Sequence, residues 1–326
     1  MDRVPVIDIS SASAVSRVRE ACEAIGFLIV SGHGLPEGLL PRAFAESLAF
    51  FQADDEVKRA AAPPVPRLQR GYHGLATRNL GKTLGLDLPP DLRESFFLGP
   101  LDDHRARFPN AGDSYALNVL PEKPAGFTET MVALYRGFEE LSDRLLRVFA
   151  LALGLREDWF AGKTRRHFSV MSSHHYPPLR EPPLPGQLRT GPHTDFGAMT
   201  ILAMTGGQGG LEVRMPSGDW SPVTAGSDEL VINLGDMMAR WTNGKWASTV
   251  HRVVNPPAID LAASRRQSIG YFMHPDYDAP IRCIPTCLAP GTTALYPEIS
   301  AGEHIRAKIE ASHKTGSVSD RAIALN

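Results

Sequence analysis

The sequence predicts an α+β protein in which a helix-rich N-terminal half is followed by a mostly β C-terminal half. Three observations carry this. Over 124–153, Met131, Leu134, Tyr135, Phe138, Leu141, Leu145, Phe149 and Leu153 recur mostly three or four positions apart, the period of a helix with one buried face. From about residue 166, short strand-like segments alternate with clusters of Gly, Pro and Asp, which suggests a sandwich or small barrel, of which the jelly roll is one. The chain has 326 residues, 43% of them hydrophobic and 21% charged, ordinary values for a soluble globular protein. A chain of about 300 residues can bury roughly three quarters of its unfolded surface, so one large core is possible. Length alone also permits two domains.

In order along the chain, Val4–Ile9 reads as a short strand. Residues 11–25 carry a helical pattern, with Val15, Val18, Ala21, Cys22 and Ile25 on one side. Gly26 to Val30 reads as a strand closed by the turn 31–34, and 36–53 as a second helix that ends before Pro63, Pro64 and Pro66. The stretch 62–122 is irregular, rich in Pro, Gly, Asp and Arg, and is expected to form a mobile cover or a wrapped loop layer. The long helix of 124–153 follows. Strands are expected at Met199–Met204, Leu211–Arg214, Glu229–Asn233, Thr249–Val254 and Ser268–Met273. The polar tail after His313 is expected to fray. The chain therefore divides into a helix-rich region 1–165, a β core 166–312 and a tail 313–326, together one compact unit.

The net charge of −2 and the lack of a basic run give no expectation of binding nucleic acid or anionic membranes. No apolar run reaches the roughly 18 residues of a membrane span, and the first residues lack the layout of a signal peptide. Cys22, Cys283 and Cys287 suggest packing residues rather than a disulfide framework, and a reducing, cytoplasmic compartment.

The chemistry lies in two strings, Gly-Pro-His-Thr-Asp-Phe-Gly (191–197) and Ser-Thr-Val-His-Arg-Val (248–253). His193, Asp195 and His251 are two imidazoles and a carboxylate. That set can occupy one face of an octahedral metal and leave the other open, the facial triad of non-haem Fe(II) oxygenases. His-x-Asp on a strand would point both side chains to one face. The third ligand would come from a distant strand brought alongside. A lone His-x-Asp is common by chance, and most of the other nine histidines are expected to be packing residues. The surroundings lift the triad above that. Arg266 and Ser268, in Arg-Arg-Gln-Ser (265–268), would share a strand face, so that a guanidinium fork and a hydroxyl could hold a carboxylate. Arg265 has the opposite parity.

Taken in series, these strings resemble a known family. Pro-His-Thr-Asp-Phe-Gly (192–197), Gly-Gly-Leu-Glu-Val (209–213), Gly-Asp-Trp (218–220), Val-Ile-Asn-Leu-Gly-Asp (231–236), Thr-Asn-Gly (242–244), Ser-Thr-Val-His-Arg-Val (248–253) and Arg-Gln-Ser (266–268) occur in the order found in the isopenicillin N synthase-like branch of the Fe(II)/2-oxoglutarate-dependent dioxygenases. Val-Pro-Val-Ile-Asp (4–8), the segment 26–34, Arg-Gly-Tyr (70–72) and Tyr-Pro-Pro (176–178) are similar to the family's leading region. The resemblance implies a double-stranded β-helix (jelly-roll) core with flanking helices, Fe(II) held by His193, Asp195 and His251, and 2-oxoglutarate as co-substrate. It further implies that Arg266 and Ser268 bind the distal carboxylate of 2-oxoglutarate, with a hydrogen bond from Tyr176. No catalytic residue beyond the metal ligands is needed. Turnover would consume O2, release succinate and CO2, and oxidise a C–H bond of a small-molecule substrate by hydroxylation, desaturation or cyclisation. His33 is expected to be structural, and Asn233, Asp236 and Asn243 to fix turns and ligand geometry. One departure is Ser172 and Ser173, where some relatives carry a basic residue. Phe196, Trp241, Phe272 and parts of 62–122 are candidates to line the substrate pocket. Two alternatives stay open: an iron oxidase of the same fold that does not use 2-oxoglutarate, and a non-catalytic jelly-roll binding protein.

Overall fold

The computed structural model describes residues 3–205, 210–257 and 264–313. The expected tail from 314 onward, and Gly209 of the Gly-Gly-Leu motif, lie outside these. The chain opens with β1 (Val6–Asp8), α1 (Ala14–Ala24), β2 (Phe27–Ser31), α2 (Leu39–Phe51) and the short α3 (Asp55–Ala60). Next come β3 (Gly71–His73), β4 (Glu94–Leu98) and the long α4 (Phe127–Ala152). The β-rich half holds β5 (Val170–Tyr176), β6 (Thr190–His193), β7 (Met199–Met204), β8 (Leu211–Arg214), β9 (Trp220–Pro222) and β10 (Leu230–Leu234). It continues with α5 (Asp236–Trp241), β11 (His251–Val253), β12 (Arg266–Met273), β13 (Pro280–Ile281), β14 (Ile299–Ser300) and α6 (Ala301–His313).

An eight-stranded sheet runs β1-β2-β10-β7-β12-β5-β4-β3, and a four-stranded sheet runs β6-β11-β8-β9. The pairings are antiparallel except β1 with β2. Strand parity explains how the sheets pack. Leu28 and Val30 of β2 and Ile269, Tyr271 and Met273 of β12 face outward, into a core shared with Leu134, Tyr135, Phe138 and Leu145 of α4. Phe27, Ile29, Tyr176 and Val231 face inward, against Leu211, Val213 and Val253 of the smaller sheet. The large sheet thus separates a helix-packed core from a second core between the sheets. This is the jelly roll with flanking helices expected from the sequence.

The irregular stretch 62–122 departs from expectation. It contains β3 and β4, and β4 pairs along its length with β5 inside the large sheet. All five β4 residues are buried, so the strand carries no polar–apolar alternation to announce it. The long helix begins and ends within three residues of its expected limits. Helix α6 was not expected; its residues show a weak apolar stripe among Glu, Arg and Lys.

Acid sensitivity is built into this packing. Burial pushes the imidazoles of His73, His274 and His304 down to about 4, against an unfolded value of about 6.5. Between those values the unfolded chain binds protons that the folded chain refuses, so stability is fully present above about 6.5 and falls as the pH drops toward 4. The urea midpoint should therefore be clearly lower at pH 5.0 than at pH 7.5. An unchanged midpoint would contradict the buried neutral histidines.

Candidate active site and metal centre

His193 ends β6 and sits directly opposite His251 of β11. The imidazole centroids are 4.3 Å apart. Asp195 lies two residues past the end of β6 rather than on the strand, a correction to the simple strand-parity argument. Its turn is held by the start of α5: the Asp236 amide donates to Asp195 O at 2.7 Å and the Met237 amide to Gly197 O at 3.1 Å. Gly235 permits this approach, since a Cβ there would stand 2.2 Å from Gly197 O and 2.8 Å from Asp195 O. The resulting cluster is tight. One donor atom from each of His193, Asp195 and His251 lies within 4.8 Å of the others, and Asp195 Oδ1 is 3.8 Å from His193 Nε2 and 3.9 Å from His251 Nε2.

The hydrogen bonds around the triad leave the right atoms free. His193 Nδ1 is 2.8 Å from Gly191 O and His251 Nδ1 is 3.1 Å from Thr249 O. A carbonyl can only accept, so each Nδ1 carries the proton and each Nε2 presents a lone pair inward. Phe27 packs edge-on to His251 at 5.4 Å. Asp195 Oδ2 accepts from Thr200 Oγ1 and from Asn233 Nδ2 at 2.7 Å, which leaves Oδ1 facing the histidines. Burial alone would raise the Asp195 pKa, but His251 and His193, together with Asn233 and Thr200, outweigh it and hold the carboxyl low. Burial, reinforced by His251, pushes His193 down to about 3. Two neutral imidazoles and a carboxylate suit a hard-to-borderline divalent cation such as Fe(II). Replacing Asn233 by alanine should weaken Fe(II) binding by ~10–100-fold through loss of this support; anaerobic titration measures it, and wild-type affinity would show that Thr200 alone suffices.

Beside the triad is a cavity of about 170 Å³. The inward face of the large sheet forms its floor, because Arg266 and Ser268 of β12 stand opposite Tyr176 and His174 of β5. Arg266 is buried while Arg265 is exposed, as parity requires. Arg266 Nη2 lies 2.9 Å from the thioether sulfur of Met204, and Nη1 has no hydrogen-bond partner among the described residues. The Tyr176 hydroxyl lies 3.4 Å from Thr190 Oγ1, and the Arg266 guanidinium sits 5.2 Å from the Tyr176 ring centre. A buried guanidinium with an unmet N–H calls for an anion, and a carboxylate matches its fork. Both 2-oxoglutarate and Fe(II) therefore fit the residues present.

Phe196 and Phe272 line the cavity, but Trp241 does not. Trp241 is fully buried in the helix-packed core beside Trp159 and Phe160, and its indole N–H donates to Pro280 O at 3.2 Å. Ser172 lines the cavity with its hydroxyl 2.8 Å from His174 Nε2, whereas Ser173 points outward to the Ser47 hydroxyl. His33 is buried in its turn, with Nδ1 accepting from the Leu35 amide at 3.2 Å. Asn243 adopts a left-handed φ of 55° and accepts from the Leu295 amide at 2.7 Å. The three cysteines are free. Sequence reasoning missed Thr200, Arg78, Arg93, Ile305 and Ile309, all of which line the cavity. No local pattern marks them; β4, which follows Arg93, carries no polar–apolar alternation. No helix among the described residues is long and apolar enough to cross a membrane.

The class defined by this fold and site is that of the 2-oxoglutarate/Fe(II) oxygenases, and the comparisons agree. Residues 4–123 match the non-haem dioxygenase N-terminal family and residues 167–275 the 2OG-Fe(II) oxygenase superfamily. The chain is 32% identical over 294 residues to the proline hydroxylase buaE of Petromyces alliaceus, covering 87% of this chain and 88% of that one. It is 30% identical over 318 residues to validamycin A dioxygenase of Streptomyces hygroscopicus subsp. limoneus, covering 94% and 85%. Among solved structures, a full-length Neurospora crassa protein crystallised in complex with alpha-KG superposes with a TM-score of 0.83 at 26% identity, covering 95% of this chain and 96% of that one. The chain belongs to the 2OG-Fe(II) oxygenase superfamily. It is an Fe(II)- and 2-oxoglutarate-dependent oxygenase of small molecules.

Proposed function

We propose that His193 Nε2, Asp195 Oδ1 and His251 Nε2 hold the Fe(II), that Arg266 and Ser268 bind the distal carboxylate of 2-oxoglutarate, and that Tyr176 adds a hydrogen bond to it. The observation that carries this reading is the pairing of a convergent His-Asp-His donor set with a buried guanidinium whose Nη1 lacks any protein acceptor. Bound Fe(II) and 2-oxoglutarate supply the O2-activating chemistry, with succinate and CO2 as co-products. The protein's own residues position and shield. The backbone carbonyls of Gly191 and Thr249 fix the imidazole tautomers. Asn233 and Thr200 keep Asp195 ionised and turned inward. Phe196, Phe272 and Leu202 wall the cavity with apolar surface that excludes water from the oxidised C–H bond. No side chain is assigned a central acid–base role. Hydroxylation, desaturation and cyclisation all suit such a site, and the substrate is a small metabolite or natural-product intermediate.

The molecule works as one compact unit, with region 1–165 packed on the 166–312 core: β1 to β4 come from the first region and complete the sheet built by β5, β7, β10 and β12. We place the protein in the cytoplasm on its free cysteines, and its near-neutral charge supports a reading with no nucleic-acid or membrane partner. The decisive experiment measures O2 consumption and succinate release with and without 2-oxoglutarate. Both should require it. Turnover unaffected by its omission would instead favour an oxidase of the same fold.

A further inference from the structure

The cavity holds more positive charge than the iron and 2-oxoglutarate chemistry uses. Arg78 and Arg93 both line it. Arg93 directly precedes β4, the strand beyond β5, and Arg78 lies in the loop before it. Arg93 is buried, and its Nε has no hydrogen-bond partner. Its Nη1 lies 3.1 Å from His174 Nε2, and its Nη2 is 3.7 Å from Asp91 Oδ2. His174 cannot answer its charge, since an imidazole is neutral or cationic; burial and the surrounding guanidiniums hold its pKa low. Arg78 lies 4.7 Å over the Phe97 ring. Among the described residues no Asp or Glu pairs with it. Burial and the like charge of Arg93 push it down to about 10. Two cations side by side at a cavity wall, one stacked on an aromatic face, form a receiver for an anion.

Charge balance narrows the class. On the reading proposed above, Arg266 answers the distal carboxylate of 2-oxoglutarate. The metal answers Asp195 and the near carboxylate, and Arg93 has Asp91 within reach. Among the described residues that line the cavity, Arg78 is the cation left over, so the surplus there is a single positive charge, which suits one carboxylate better than a phosphate dianion. Apolar side chains line the same cavity: Leu80, two residues past Arg78, Ile305 and Ile309 of α6, which packs against the turn that Leu80 opens, and Phe272.

We infer that the substrate is a small monocarboxylate with an apolar body, its carboxylate received by Arg78 with help from Arg93 and its hydrocarbon held against Leu80, Ile305 and Ile309. This rests on the iron and 2-oxoglutarate reading. Arg78 is a specificity-determining residue, carried by the connection between β3 and β4 at the end of the large sheet.

The test uses full-length protein loaded with Zn(II), which blocks turnover, and saturating 2-oxoglutarate. Calorimetry first establishes that 2-oxoglutarate binds; its failure to do so would overturn the co-substrate reading and, with Arg266 then unanswered, the charge count built on it. Two probe pairs, 3-phenylpropanoate with 3-phenylpropanamide and 4-methylpentanoate with its amide, are then titrated by saturation-transfer NMR. Each acid should bind at least ~10-fold more tightly than its amide, the low end for a hydrogen bond to a charged group. Arg78→Gln should bring each pair to near equality, and Arg78→Lys, which keeps the charge, should restore part of the preference. Equal or tighter binding of the amides, no saturable binding of the acids, or a preference that survives Arg78→Gln would overturn the inference.

Discussion

Replacing His193 by alanine is expected to abolish iron binding and turnover together. The ring contributes one of three donors gathered within 4.8 Å, and among the described residues no further His, Cys, Asp or Glu joins that group to replace it. The loss should exceed the ~10–100-fold that removal of a supporting hydrogen bond costs a metal site. Anaerobic Fe(II) titration and succinate release measure the two effects separately. Wild-type succinate formation in this variant would refute the ligand assignment, because the other two donors alone leave no facial triad.

The second large effect concerns Arg266→Met. The substitution keeps much of the apolar volume and removes the buried cation of β12 that stands opposite Tyr176 of β5. Losing one partner of a buried, hydrogen-bonded charge pair costs about 2–5 kcal/mol, or ~30–4000-fold in binding. The apparent KM for 2-oxoglutarate should rise by that factor, while the Fe(II) titration keeps its endpoint because Arg266 offers no donor to the metal. Arg266→Lys should fall between the two, retaining charge without the planar fork. An unchanged KM would move the co-substrate elsewhere, and Arg189 would be the next candidate: it is buried, with Nη1 unpartnered and its guanidinium 5.8 Å from the Tyr176 ring centre.

Much of the site was legible because its residues act through local geometry. Arg266 and Ser268 share a face by parity alone, and the exposure of Arg265 follows from the same rule. The strands β7 and β8 match their expected limits because each is bounded by turn residues and carries β-branched or apolar side chains. Other parts were illegible for physical reasons. β5 reads Val-Met-Ser-Ser-His-His-Tyr, too polar to suggest a buried strand, yet all seven residues are buried. Its inner face (Ser172, His174, Tyr176) lines the cavity among its polar groups, and its outer face finds partners such as Glu94, 2.8 Å from His175 Nδ1. β4 was hidden by the opposite circumstance, burial on both faces.

By itself the sequence determined the chemistry: which residues can ligate a divalent metal, which guanidinium can clamp a carboxylate, and the succession of strands able to carry them. Those are properties of side chains and of the two-residue period of a strand. Only the tertiary structure decided that Asp195 is aimed by a turn wedged under α5 at Gly235, that Trp241 belongs to the helix-packed core, and that Arg78 and Arg93 reach the cavity from a stretch that reads as loop. These depend on contacts between segments far apart in the chain, and no local pattern encodes which distant backbone will come close enough to complete a site.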